Sequence, residues 1–217
     1  MIRLGEIQTL IVTQLSPTGA YLGSREGDFV EEILLPGKQV PAGTEVHDEL
    51  EVFVYRDSGD KMIATTIKPK ITLDQIALLN VKQVSNIGAF LDWGLPKDLL
   101  LPFKEQTTKV KEGWPYVVRL YIDKSQRLCA TMRIYEFLRT DSPYQKDDRV
   151  SGIIYDMKND LGALIAVDHK FNGLLPKSEI YDDFHEGDII EARVARVKED
   201  GKLDLTCIQQ PNYIHFI

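Results

Sequence analysis

Rings and cations gather in the middle third of the chain. Phe90, Phe103 and Tyr121 supply the rings, and Lys104, Arg119 and Arg127 the positive charge. Side chains of these types can hold a single nucleic-acid strand. A ring stacks on an unpaired base of any identity, worth about 1–3 kcal/mol per base, and a basic group meets the phosphate. Strand alternation assigns each side chain to a face. In GAFLD, Ala89 and Leu91 point inward, which leaves Phe90 and Asp92 outward. In VVRLYI the inward row is Val118, Leu120 and Ile122, so Arg119 and Tyr121 face out. Phe103 follows Pro102 at a rim with Lys104 beside it, and Arg127 lies on a later strand. A second reading stays open for the same residues: Phe90 and Tyr121 pack against a neighbouring repeat, and Arg119 pairs with Asp92 or Asp123.

Other chemistries lack their residues. There is no G-x-x-x-x-G-K-[ST], no G-x-G-x-x-G after a strand and no H-E-x-x-H. His47, His169, His185 and His215 are scattered, and no Cys or His spacing suits zinc. Asp147-Asp148 and Asp182-Asp183 are adjacent carboxylates in polar linkers or loops, whereas two-metal sites draw ligands from several rigid elements. The expectation is a non-catalytic chain with no metal, no cofactor and no small-molecule substrate.

A repeat positions the ring-and-cation patch. A Gly-Ala pair recurs at Gly19-Ala20, Gly88-Ala89 and Gly162-Ala163; a Leu-Leu-Pro follows each, ending at Pro36, Pro102 and Pro176. From that proline to a threonine closing a strand-like segment is 29, 29 and 30 residues, reaching Thr65, Thr131 and Thr206. Repeats decide architecture before local patterns do, and a unit of about 70 residues can bury its own core. The third copy is the most legible: strands over Val150–Met157, Leu161–Val167, Gly173–Leu175, Ile189–Lys198 and Lys202–Thr206, with a helical turn at Lys177–Ile180. Five short antiparallel strands predict a closed barrel of the OB-fold type, in which the Gly of strand two marks a bend or bulge. The fold class expected is all-β: three tandem five-stranded OB-fold barrels over residues 1–68, 69–140 and 146–210. Between the second and third, Ile134, Phe137 and Leu138 have helical spacing, which predicts a short helix ended at Ser142-Pro143.

The chain of 217 residues has a net charge of −7, which argues against indiscriminate nucleic-acid binding. The charge is uneven: net −4 over residues 1–70, +2 over 71–145 and −5 over 146–217. Only the middle copy has the sign a phosphate backbone favours. No apolar run approaches a membrane span, the N-terminus lacks a signal-peptide pattern, and Cys129 and Cys207 read as reduced thiols. These features favour the cytoplasm and no membrane partner.

The strings GALIAVDHKFNGLLPKSEI and EGDIIEARVARVKEDGKLDLT resemble the RNA-binding repeat of the bacterial ribosomal protein S-one type. SNIGAFLDWG with VVRLYIDKSQRLCATM fits the same pattern, and SPTGAYLG with VFVYRDSGDKMIATT fits it more loosely. The whole arrangement resembles the conserved virulence factor B family of Gram-positive bacteria, in which three such repeats precede a winged helix. The tail QQPNYIHFI is too short for that fourth domain. The resemblance implies single-stranded RNA as partner and post-transcriptional control of gene expression, virulence genes included. It also puts Phe90 at the family's base-stacking position on strand two.

The outer copies depart from the pattern. Leu164 replaces the aromatic in the third, where Lys177, Arg193 and Arg196 remain as candidate phosphate contacts, with plain solvated surface as the other reading of those charges. Tyr21 keeps the aromatic in the first, with Phe53 and Tyr55 outward on strand four, beside the acidic stretch from Glu26 to Glu32, and a contact between barrels stays open there as the alternative to RNA. All three copies have Pro where many relatives carry a histidine at the end of strand three. Two other classes stay open: a protein-interaction scaffold, through partners or self-association, and an accessory module of a larger RNA-processing assembly.

Overall fold

The structure is a computed structural model that describes residues 1–24, 31–181 and 183–208. Most of the acidic stretch Glu26–Glu32, Asp182 and the tail from 209 onward lie outside the described residues. The chain carries three five-stranded barrels. The first comprises β1 (Ile7–Ser16), β2 (Gly19–Gly23), β3 (Glu32–Pro36), β4 (Glu49–Arg56) and β5 (Met62–Thr65). The second comprises β6 (Ile76–Val84), β7 (Gly88–Asp92), β8 (Leu99–Pro102), β9 (Pro115–Ile122) and β10 (Leu128–Thr131). The third comprises β11 (Arg149–Lys158), β12 (Gly162–Val167), β13 (Phe171–Pro176), β14 (Ile189–Val197) and β15 (Leu203–Cys207). Strand order is β1-β2-β3-β5-β4 in the first and β11-β12-β13-β15-β14 in the third, both closed; β10-β9-β6-β7-β8 is the same order in the second.

The recurring residues turn out to touch one another. Gly19, Gly88 and Gly162 stand opposite Pro36, Pro102 and Pro176 in register. Each Gly has a positive φ (147°, 149° and 125°). A Cβ there would come within 2.0–2.3 Å of the carbonyl oxygen of Leu35, Leu101 or Leu175. Only glycine lets strands two and three approach so closely. The terminal threonine is fixed by a second contact. Its hydroxyl donates to Gln39 Oε1 at 2.6 Å, Glu105 Oε2 at 2.8 Å and Glu179 Oε2 at 2.5 Å in the three copies. Each acceptor lies three residues after the Leu-Leu-Pro proline, in a single 3-10 turn. That hydrogen bond joins the two ends of the proline-to-threonine interval in every copy.

Each first strand breaks register against the second, between Val12 and Gln14, Val81 and Gln83, and Ile154 and Asp156. A bulge at the same place in every copy gives the bend that closure needs. The barrel interiors follow the alternation. Ala20 and Leu22, Ala89 and Leu91, and Ala163 and Ile165 are all fully buried. The helix expected after the second barrel is one 3-10 turn, Ile134–Phe137. Leu138 is already extended, and Arg139 then pairs with β13: its N–H donates to Lys170 O at 2.7 Å, and its carbonyl accepts from Asn172 N–H at 3.0 Å. Strand pairing takes the backbone groups that a longer helix would have used.

The described chain forms two compact units, one of Met1–Gln75, Leu79–Pro115 and Arg119–Thr131, the other of Ile76–Leu78, Tyr116–Val118 and the residues from Met132. Among the described residues no helix is long and apolar enough to cross a membrane.

Candidate nucleic-acid interface

In the first and third barrels the register aligns one outward row across strands two, three, five and four, and in the second two pairs of that row are aligned. In the first barrel the row is Tyr21, Leu34, Ile63 and Tyr55. In the second, Phe90 stands opposite Leu100, and Cys129 opposite Tyr121. In the third it is Leu164, Leu174, Asp204 and Arg196. Rings therefore flank the row in the first two copies. In the third, a leucine and an ion pair (Arg196 Nη2 to Asp204 Oδ2, 2.7 Å) take their places.

The middle row is the one that offers a ring and a cation together. Phe90 is half-buried and Arg127 is exposed, and both line one cleft. Among the described residues the Arg127 side chain has no carboxylate partner, since Asp123 accepts only its backbone N–H, at 3.0 Å. Phe103 and Lys104 are exposed on the 3-10 turn after β8. Tyr121 is half-buried; burial and then the Glu105 carboxylate push its phenol well above the ordinary range, so it stays neutral. Burial, and then Asp123, push the Cys129 thiol up to about 11, which keeps it protonated and inert at neutral pH.

Two of the expected contacts are placed elsewhere. Arg119 is 7% exposed, and its Nη2 meets Asp74 Oδ1 at 3.0 Å, in place of Asp92 or Asp123. Asp92 is engaged by Lys70 at 2.5 Å, and that contact, followed by the Gly94 N–H, holds its carboxyl below the usual range. Tyr55 is 6% exposed, with Trp93 edge-on at 6.3 Å and Phe53 at 6.4 Å. Neither residue presents a surface for a base. Tyr21 is half-buried on β2. Lys177 and Arg193 are exposed on the third barrel, where Arg193 borders a hollow of about 340 Å³ with Glu179, Tyr181 and Thr206. At the third barrel's strand-two position Leu164 is half-buried and packs against Ile76, Val117, Ile134, Ile153 and Tyr155 within the second unit. His169 lies in the turn before β13, where its Nδ1 accepts from Ile76 N–H at 3.0 Å. Phe171 is in β13 itself, edge-on to Tyr144 at 6.3 Å and 5.9 Å from the Arg139 guanidinium.

Sequence reading missed Trp93, Arg56 and Lys97, which line the Phe90 cleft. Trp93 continues the inward parity of Ala89 and Leu91 but lies past the end of β7. There the Asp92 carboxylate accepts from Gly94 N–H at 3.1 Å and turns the chain. The ring consequently packs on Phe53 and Tyr55 of the first barrel, both nearly buried.

The family profile described as S1 domain matches residues 4–67 and 75–133, the first and second barrels and more than half of the chain. The chain belongs to the S1 domain family. The third barrel lies beyond those matches and repeats their strand order. Among curated proteins, the uncharacterized protein YitL of Bacillus subtilis is 26% identical over 95% of this chain and 70% of its own length. Conserved virulence factor B of Staphylococcus epidermidis is 26% identical over 74% of this chain and 56% of its own length, so the chain spans little more than half of that relative. The tandem S1 design and these relatives agree with the resemblance read from the repeats. Among solved structures, a Streptococcus pneumoniae multidomain protein described as having nucleic acid binding domains superposes with a TM-score of 0.51 at 21% identity. It covers 96% of this chain and 75% of the other, a likeness of fold.

Proposed function

We propose that the chain binds single-stranded RNA without catalysing a reaction, mainly on the outer face of the middle S1 domain. One observation carries this reading. Phe90 and Arg127 line the same cleft, the ring partly open and the guanidinium exposed, in the only third of the chain with net positive charge. A base stacks on the ring while the cation meets a phosphate. Phe103 and Lys104 extend the surface along the rim, Tyr21 adds a ring on the first domain, and Lys177 and Arg193 add cations on the third. Arg119 and Tyr55 support the architecture. The pneumococcal protein's description as carrying nucleic acid binding domains supports the same class of ligand. The reading extends to post-transcriptional control of gene expression in the cytoplasm; the staphylococcal relatives' name, conserved virulence factor B, supports a link to virulence alone.

Titration of the full chain against a labelled single-stranded RNA at several salt concentrations tests this. Affinity should fall as salt rises, with a log–log slope of about −0.7 per neutralised phosphate. Self-association unaffected by salt, with no RNA retained, would instead support the interaction-scaffold reading.

A further inference from the structure

The cleft beside Phe90 is built by two domains. Arg56 and Asp60 come from the β4–β5 hairpin of the first; Phe90, Trp93, Lys97 and Arg127 come from the middle one, and the enclosed space is about 150 Å³. Three cations therefore face it. Of the two carboxylates at its wall, Asp98 is already taken by Lys82 Nζ at 2.7 Å, which leaves Asp60. The local charge is positive although residues 1–70 are net acidic.

Two of the three cations are held in place by neutral groups. Arg56 Nε donates to Gln126 O at 3.0 Å and its Nη1 to Asp60 O at 2.8 Å. Lys97 Nζ donates to Asp57 O at 2.8 Å. Carbonyls orient a cation without cancelling its charge, so the attraction for an anion persists. The wall behind them is rigid. Trp93 is 3% exposed, edge-on to Phe53 at 5.8 Å, and its indole N–H donates to Lys97 O at 2.5 Å. Groups fixed before the ligand arrives lower the ordering cost of binding.

We infer that this cleft is a composite nucleotide site. One nucleotide of an RNA strand seats its base on Phe90 and its phosphate between Arg56 of the first domain and Arg127 of the middle one, with Lys97 as the third cation around that phosphate. The inference rests on the RNA-binding reading and adds to it that the first two S1 domains act as a single binding unit. The acidic first domain then contributes through its hairpin and not through its own strand face.

The test uses the full chain and a labelled single-stranded RNA of roughly 10 nucleotides, within the span of about 4–16 that an OB-fold covers. Arg56→Gln and, separately, Lys97→Met should each weaken binding by about fivefold, as expected for one partly exposed ion contact. Each should also reduce the salt slope, by at most about 0.7, the value for one whole phosphate. Thiouridine placed in the RNA should cross-link to the segment 56–60. Arg56 also ties strands together, so the cross-link and Lys97→Met decide the matter if Arg56→Gln fails to fold. If Phe90→Ala weakens binding while both charge variants keep wild-type slopes and segment 56–60 stays unlinked, the composite site is wrong and the RNA-binding reading stands. If Phe90→Ala has no effect either, both fall.

Discussion

Phe90 and Leu91 are neighbours on β7 with opposite expected roles. Leu91 is fully buried inside the barrel, whereas Phe90 is half-buried on the outside, opposite Leu100. Leu91→Ala removes core volume and should cost about 2–5 kcal/mol of stability. Phe90→Ala leaves the interior intact and loses a stacking platform worth about 1–3 kcal/mol per base. At 1.4 kcal/mol per decade, that is a dissociation constant weaker by about fivefold to about 150-fold. Fluorescence anisotropy with labelled single-stranded RNA reads the affinity, and urea unfolding reads the stability. Phe90→Ala should weaken binding with a small change in midpoint, and Leu91→Ala should move the midpoint most. The reasoning is refuted if Phe90→Ala binds as wild type, or if it loses affinity only in proportion to lost stability.

Arg119→Ala should destabilise the chain by about 1.5–3 kcal/mol, the scale of a charged hydrogen bond, because the buried guanidinium meets Asp74. Its folded fraction should bind RNA as wild type in the same anisotropy assay. Gly88→Ala should unfold the middle domain, since the added Cβ would sit 2.3 Å from Leu101 O at a φ of 149°; loss of the cooperative thermal transition would register it. Alkaline pH should destabilise the fold. The folded chain holds the Cys129 thiol up to about 11 through burial and then Asp123, and the Tyr144 phenol up to about 12 through its hydrogen bond to Asp168 and then burial. The unfolded chain releases these protons near the ordinary values of 9.0 and 10.0. Between about pH 9 and 12 the unfolded state thus binds fewer protons, and unfolding free energy falls with pH. Urea midpoints at pH 8 and pH 11 measure this.

The barrels were legible because their markers are local and touch in space. The Gly-Ala pair and the Leu-Leu-Pro are facing halves of one strand pair, so neither can drift without the other. Parity placed Phe90 outside and Ala89 and Leu91 inside for the same reason: a strand alternates whatever lies beyond it. What parity leaves open is the surroundings of the outer face. Arg119 and Tyr55 do point away from their barrel interiors, yet Asp74 covers one and Trp93 the other. Asp74 lies 45 residues from Arg119, and no local pattern announces the pair. Arg56 and Lys97 stayed hidden because the cleft they line draws on two repeats, and a repeat is read one copy at a time. The third copy shows the converse. It matches the strand pattern most clearly, but its strand-two position offers no ring, and Leu164 there is half-buried against an apolar cluster of its own unit.

Cross-linking a thiouridine-containing single-stranded RNA to the full chain and mapping the attached peptides tests the central claim most directly. The account predicts attachment around Phe90, Phe103 and Arg127. Attachment confined to the third domain around Leu164, or none under conditions where a known RNA-binding control is linked, would contradict it.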